Sequence, residues 1–247
     1  MRNQSLAVSL ALFVAIPGVL PGQFPPEKVT NLKVFPADMP VRALIDTMAG
    51  FTRALGVRCP YCHVGQEGQP LSTFDFASDE KPTKEKARQM LRMVADINGD
   101  HLAKLADRRD PPITVTCMTC HRGVSEPRPL QQIVLAAYDR GGADSAEATY
   151  RALRQRYHGR SAYDFGETSL AGVGAELRRR DKLADAVRFH RLNIEMLPSS
   201  GFAHRQAAEA ELATGDTAAA RATLQRALTI DSTDAQARRA LEAIRPK

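Results

Sequence analysis

The chain has no cysteine outside two short words, "CPYCH" at Cys59 to His63 and "CMTCH" at Cys117 to His121. Any thiol chemistry is therefore confined to those words, and no cysteine near the N-terminus is present to carry a lipid. A run of bilayer-spanning length is also lacking. The apolar stretch Leu6 to Ile16 is about half of what crosses a membrane, and it follows one Arg and precedes Pro17 and Gly18. This pattern predicts a secretory signal over residues 1–22, with a retained anchor as the alternative. Nor is there a surface of one sign: 34 Lys and Arg are interleaved with 28 Asp and Glu, which speaks against a nucleic-acid footprint and for solvated helix faces.

At 247 residues the chain can hold two modest units. "FPPEKVTNLKVFP", with its prolines, predicts an extended lead-in. A first helix is expected from about Pro40, since Val41, Leu44, Ile45, Met48, Phe51 and Leu55 recur at steps of three and four and Gly56 supplies a stop. "GQEGQPLSTFDFASDEKP" reads as loop. Thr83 is a candidate cap for a second helix carrying Ala87, Met90, Leu91, Val94 and Ile97 and closing at Asn98-Gly99. A third is expected from His101 to Ala106.

From Gln131 the composition shifts to Ala, Arg, Leu and Glu, and a repeat emerges. "AELRRRD" at Ala175 matches "AELATGD" at Ala210 with an offset of 35, whereas Ala184, Ala186 and Ile194 match Ala218, Ala220 and Leu228 with an offset of 34. A helix pair of that period is the tetratricopeptide pattern, in which small residues let helices approach closely. Asp144 to Tyr157 is a candidate for a degenerate earlier helix. The expected organisation is a signal over 1–22, a domain holding both cysteine words over 23–130 and helical repeats over 131–247, mainly α throughout.

Cys-x-x-Cys-His is the attachment signature of c-type haem: two thiols add to vinyl groups and the adjacent His ligates iron. A disulfide would not require a His after each pair. A thioredoxin-like site would need a βαβ setting, and four Cys with two His exceed one tetrahedral zinc shell. The doubled words predict two covalent haems, on Cys59 and Cys62 with His63, and on Cys117 and Cys120 with His121. A sixth iron ligand decides between electron transfer and catalysis. Met48 precedes the first word on the inner helical stripe, and Met90 and Met93 precede the second. Core packing is the alternative role for each. Arg122 is a candidate partner for a haem propionate, and His101, His158, His190 and His204 read as structural, His101 being a substitute ligand to watch.

The words "NLKVFP", "MAGFTRALGVRCPYCH", "ARQMLRMVADIN" and "VTCMTCHRG", from Asn31 to Gly123, resemble the cytochrome subunit of photosynthetic reaction centres. The resemblance implies helices that each carry an axial Met ahead of a Cys-x-x-Cys-His word. Met48 is then the partner of His63 and, through the "Ala-Arg-x-Met" match, Met90 rather than Met93 the partner of His121. Members commonly hold four haems and a lipidated Cys; this chain has words for two, and its repeats lie outside the resemblance.

The expectation is an exported dihaem cytochrome, periplasmic or on the outer face of the cytoplasmic membrane. It carries single electrons and is not an enzyme. Its partners would be a soluble electron donor, a photosynthetic reaction centre or respiratory complex, and a protein bound through the repeats. A dihaem peroxidase and a haem-based redox sensor are the alternatives. Protein from a host able to mature c-type haems should gain the mass of two haems that resist acid extraction, and a Cys59–Cys62 disulfide in its place would contradict the reading.

Overall fold

A computed structural model describes residues 24–245; the expected signal over 1–22 lies outside them. The chain forms two compact units by Cα proximity. One comprises residues up to Thr52 with Val57–Val115, and the other Arg53–Gly56 with Thr116 onward. The contact boundary therefore falls just before the second cassette, not at the change of composition near residue 130. No strand occurs among the described residues, where a single bridge pairs Val64 with Asp75.

In the first unit, α1 (Val41–Leu55) starts directly after Pro40, where a residue without an N–H is least costly. Its end falls at Gly56, which adopts φ +65°, a conformation that glycine tolerates best. A Cβ there would also lie 2.1 Å from the Gly123 carbonyl oxygen. Helix α2 (Pro82–Asp96) has Pro82 in its first turn and Lys81 as its cap. Thr83 therefore lies inside the helix, and its hydroxyl donates to the Tyr61 carbonyl at 2.5 Å. Beyond Asp96 the backbone widens into a π turn over Ile97–His101 and tightens into a 3₁₀ turn over Leu102–Lys104. The expected stop at Asn98-Gly99 and the separate helix from His101 are thus replaced by one continuous change of helical pitch.

The reason lies in Asn98. Its Nδ2 donates to the carbonyls of Val94 and Val115 at 2.9 and 2.8 Å, and its Oδ1 accepts from the Val115 N–H at 2.8 Å. One side chain thereby pins the strand-like approach to the second cassette onto the end of α2. Such π turns recur where a helix must meet a functional constraint.

The second unit opens with α3 (Cys117–His121). α4 (Leu130–Tyr157) is interrupted at Gly141-Gly142, where the backbone leaves helical geometry, so the chain after that break is the degenerate earlier helix. Then follow α5 (Glu167–Arg179), α6 (Leu183–Met196), α7 (Gly201–Ala213), α8 (Thr217–Ile230) and α9 (Ala235–Ala243). Helices α5, α7 and α9 begin 34 residues apart, as do α6 and α8. Consecutive helices pack on one another in tetratricopeptide fashion. The core runs from Leu130, Val134 and Tyr150 through Leu170 and Phe189 to Leu224 and Ala227.

The structural register is 34 throughout, which corrects the offset of 35 suggested by the "AEL" match. Leu177, fully buried, corresponds to Glu211 at 3% exposure, not to Leu212. Burial of a carboxylate is tolerated because Arg191 donates to Glu211 Oε1 at 2.8 and 3.0 Å and Thr223 donates to Oε2 at 2.9 Å. In the same register, Asp181 (φ +59°) lies opposite Gly215 (φ +84°). Both close a helix by turning left-handed, which costs a residue with a Cβ roughly 1 kcal/mol. Gly215→Ala should therefore lower the stability of the repeat half by about 1 kcal/mol, whereas Asp181→Gly should not lower it. Paired denaturant titrations test both, and an undiminished midpoint for Gly215→Ala would refute the register.

Candidate haem sites

Both cassettes are turns of helix, as their spacing requires. Cys59–Tyr61 form a 3₁₀ turn in which the Cys59 carbonyl accepts from the N–H groups of Cys62 and His63 at 3.2 and 3.0 Å. Cys117–His121 form a short α turn. Thr116 and Thr119 form a capping box at its start, where Thr119 Oγ1 accepts from the Thr116 N–H at 3.0 Å. Arg122 then turns left-handed, with φ +52°. The Gly123 N–H donates to the Ala54 carbonyl at 2.8 Å, so the last turn of α1 is bonded to the turn that follows His121. Arg122 Nε donates to the Thr119 carbonyl at 3.3 Å.

All four cysteines are free thiols. Burial pushes the Cys62 thiol up, against the weaker pull of Thr83 and Lys81, and burial likewise raises Cys117. Thiol–disulfide catalysts depend on a lowered thiol pKa, so these environments disfavour that chemistry and leave the S–H intact for addition to a vinyl group. Among the described residues no three His, Cys, Asp or Glu side chains converge as a metal cluster. Each cassette thus aims its sulfurs and its imidazole at separate points.

The two histidines are prepared differently. His121 Nδ1 lies 2.9 Å from the Val124 carbonyl. An N–H at Nδ1 donates there, leaving the Nε2 lone pair to a metal, as an orienting contact should. His63 is edge-on to Phe76, with ring centroids 5.0 Å apart, and its Nδ1 is sealed from solvent without a hydrogen bond of good geometry. Burial lowers the pKa of His63, and the Lys84 ammonium lowers it further, while the Phe76 carbonyl opposes both. The ring is consequently neutral at pH 7, the form that ligates iron.

Sequence reasoning missed the groups that hold the first cassette. Asp79 accepts from Lys33 at 2.6 Å, Arg88 at 2.8 Å and Asn31 at 2.9 Å, and Lys84 lies 3.2 Å away. Arg88, then Lys33 and Asn31, hold its carboxyl well below the usual carboxylate range. The family words "NLKV" and "ARQM" supply three of these partners. Lys84 Nζ also donates to the carbonyls of Phe76, Ala77 and Ser78 at 2.9, 2.9 and 2.8 Å, and Lys81 donates to the Pro60 carbonyl inside the cassette. The available signal was the row of short-spaced lysines at the start of α2.

Met48 is half-buried on α1, whereas Met90 and Met93 are 42% and 43% exposed. Exposure does not separate the two α2 methionines. The side of α2 turned inward carries Ala87, the buried Arg88, Leu91 and Val94. Of the other histidines, His190 and His204 are buried in the repeats. Burial takes His190 down to about 4, His204 Nδ1 lies 2.9 Å from the Ser200 carbonyl, and His158 packs edge-on to Phe165. His101 is exposed in the π turn.

The chain before the second cassette leaves much of its apolar surface unburied. Between Phe24 and Thr116 the fully buried side chains are Ala54 and Arg88. The exposed large apolar side chains among the described residues, Tyr61, Leu71, Met90, Met93, Leu105, Ile113 and Met118, all lie from the first cassette to the second.

Residues 27–140 match the family model described as photosynthetic reaction centre cytochrome C subunit, a little under half of the chain. The matched segment contains both Cys-x-x-Cys-His words. Over 68 residues the chain is 43% identical to cytochrome c-554 of Chloroflexus aurantiacus, covering 28% of this chain and 14% of that protein. Over 88 residues it is 32% identical to the photosynthetic reaction center cytochrome c subunit of Thermochromatium tepidum, covering 32% of this chain and 20% of that protein. The chain thus spans a fifth or less of the length of these relatives. Among solved structures it is similar to PcrH from Pseudomonas aeruginosa (23% identity, 47% of this chain, 88% of that one, TM-score 0.33). A similar match is the first TPR domain of human RPAP3 (18% identity, 47% and 86%, TM-score 0.33).

The second cassette shares its unit with the repeats. Gly56, Gly123 and Val124 line a cavity of about 310 Å³ together with Ile133, Arg156, Tyr157 and Tyr163. A chain ending near Gln131 loses Ile133, Arg156, Tyr157 and Tyr163 from that lining. Any haem carried on the second cassette should then change in spectrum and potential while one on the first is unaffected, in contrast to the separable halves that composition suggests. Redox titration of the truncated protein checks this, and two unchanged haems would restore the division at residue 130.

Proposed function

We propose that this is an exported dihaem cytochrome that carries single electrons, with its repeat module serving as the docking surface for a protein partner. The observation that carries the reading is the doubled Cys-x-x-Cys-His turn in a setting where the neutral His63 and the Val124-oriented His121 both suit a metal. When bound, haem supplies a reversible ferrous–ferric couple. The residues of this chain tether it through Cys59 and Cys62 or Cys117 and Cys120, ligate it through His63 or His121, and complete its coordination through Met48 or Met90. Paired His and Met ligation favours the ferrous state and leaves no position for a substrate, so the protein is read as a carrier and not an enzyme.

The relatives bear the names of a cytochrome c and of a reaction center cytochrome subunit, which supports a photosynthetic reaction centre, or a respiratory complex, as electron acceptor and a soluble protein as donor. No described helix is long and apolar enough to cross a membrane. A location in the periplasm or on the outer face of the cytoplasmic membrane follows from the expected export signal and the covalent haems.

Carbon monoxide binding to the reduced protein tests this reading. The wild type should bind it poorly at both irons. Met48→Leu and Met90→Leu should each open one iron and lower one potential, while Met93→Leu changes little. Ready binding by the wild type together with peroxide turnover would favour the dihaem peroxidase, and an opened site in Met93→Leu alone would move the second ligand to Met93.

A further inference from the structure

Lys84 is held as few lysines are. Its side chain is 13% exposed, its ammonium faces three loop carbonyls, and one of these, from Phe76, belongs to the residue whose ring meets the first haem-ligating histidine at 5.0 Å. The carbonyl cage supplies hydrogen bonds but no formal charge. The one carboxylate in reach, Asp79, is shared with Lys33 and Arg88. Three cations on one anion leave positive charge in surplus, and Glu85 offsets only the Arg88 and Arg92 side. Asp75 Oδ1 accepts from the N–H groups of Ala77 and Ser78 and Asp75 forms no ion pair with Lys84, and Glu80 is exposed, so solvent screens it. The ammonium cannot swing into water without abandoning all three carbonyls.

We propose that Lys84 is a positioning and tuning residue, a fixed positive charge beside the first cassette that holds the iron ligated by His63 toward its ferrous state and so sets the order in which the two haems fill with electrons. This rests on the dihaem reading above. Oxidation removes one electron and adds one unit of positive charge at the iron, and a nearby cation opposes that addition. At an effective dielectric of about 20, a fixed unit charge near such an iron would shift its one-electron equilibrium by about tenfold. Asp79 acts with opposite sign, because its carboxylate offsets part of the Lys84 charge.

The experiment is spectroelectrochemical titration of the full-length dihaem protein and two variants of opposite charge change. The first haem is identified by the wave that disappears in a Cys59→Ser, Cys62→Ser variant. Lys84→Gln should lower the potential of the first haem by about tenfold in its equilibrium, or about 59 mV for one electron, with the second haem moving much less. Asp79→Asn should raise the first potential, and Lys84→Arg should stay near the wild type. If Lys84→Gln fails to load haem, the sign of the Asp79→Asn shift decides the matter. Potentials that stay fixed, that move alike at both haems, or that fall in both variants as general loosening would produce, overturn the proposal. A wild type without covalent haem would instead overturn the functional reading on which it rests.

Discussion

One carboxylate, Asp79, organises the surroundings of the first cassette. Lys33 and Asn31 reach it from the extended lead-in and Lys84 and Arg88 from α2, so four groups from two distant segments meet at one point. Elsewhere in a small domain an apolar core does this work, through the burial of several large side chains. Here the described chain before the second cassette buries one apolar residue, Ala54, and one cation, Arg88. Polar ties therefore carry the positioning. The large apolar side chains Leu71, Met90, Met93, Leu105 and Ile113 are instead exposed.

The two cassettes share a spacing but not a support. The first is held from outside by α2, whose Lys81 and Thr83 donate to carbonyls within the cassette. Its histidine is kept neutral by burial and by the Lys84 charge. The second holds itself through the Thr116–Thr119 box and the contact of His121 with Val124, and is tied to the end of α1 through Gly123 and Ala54. Equal sequence words thus sit in unequal electrostatic settings.

The repeat half follows ordinary packing rules with two local departures. Glu211 replaces an apolar residue in the core and is accepted because Arg191 and Thr223 satisfy it. His190 is buried without a partner at Nδ1 and is neutral in consequence. A carboxylate in an apolar position is what misled the letter-by-letter comparison of repeats, since the "AEL" words align by identity while the helices align by burial.

The sequence by itself determined most of the helices and the words on which the haem reading rests. Two Cys-x-x-Cys-His words, the stripe of α1 ending at Gly56, and the 34-residue period are local patterns, and local patterns follow from backbone geometry alone. It also restricted the methionine candidates to three, because only Met48, Met90 and Met93 sit on helices that precede a cassette. Only the tertiary structure decided which groups hold those words in place. Asp79 is separated from Asn31 and Lys33 by more than forty residues, Asn98 from Val115 by 17, and the Gly123 tie to Ala54 crosses the whole first unit in sequence. No periodicity announces a single long-range polar contact, whose partners are chosen by where the folded backbone leaves a carbonyl or a charge unsatisfied. For the same reason the second cassette joined the unit of the repeats, although composition changes only after it.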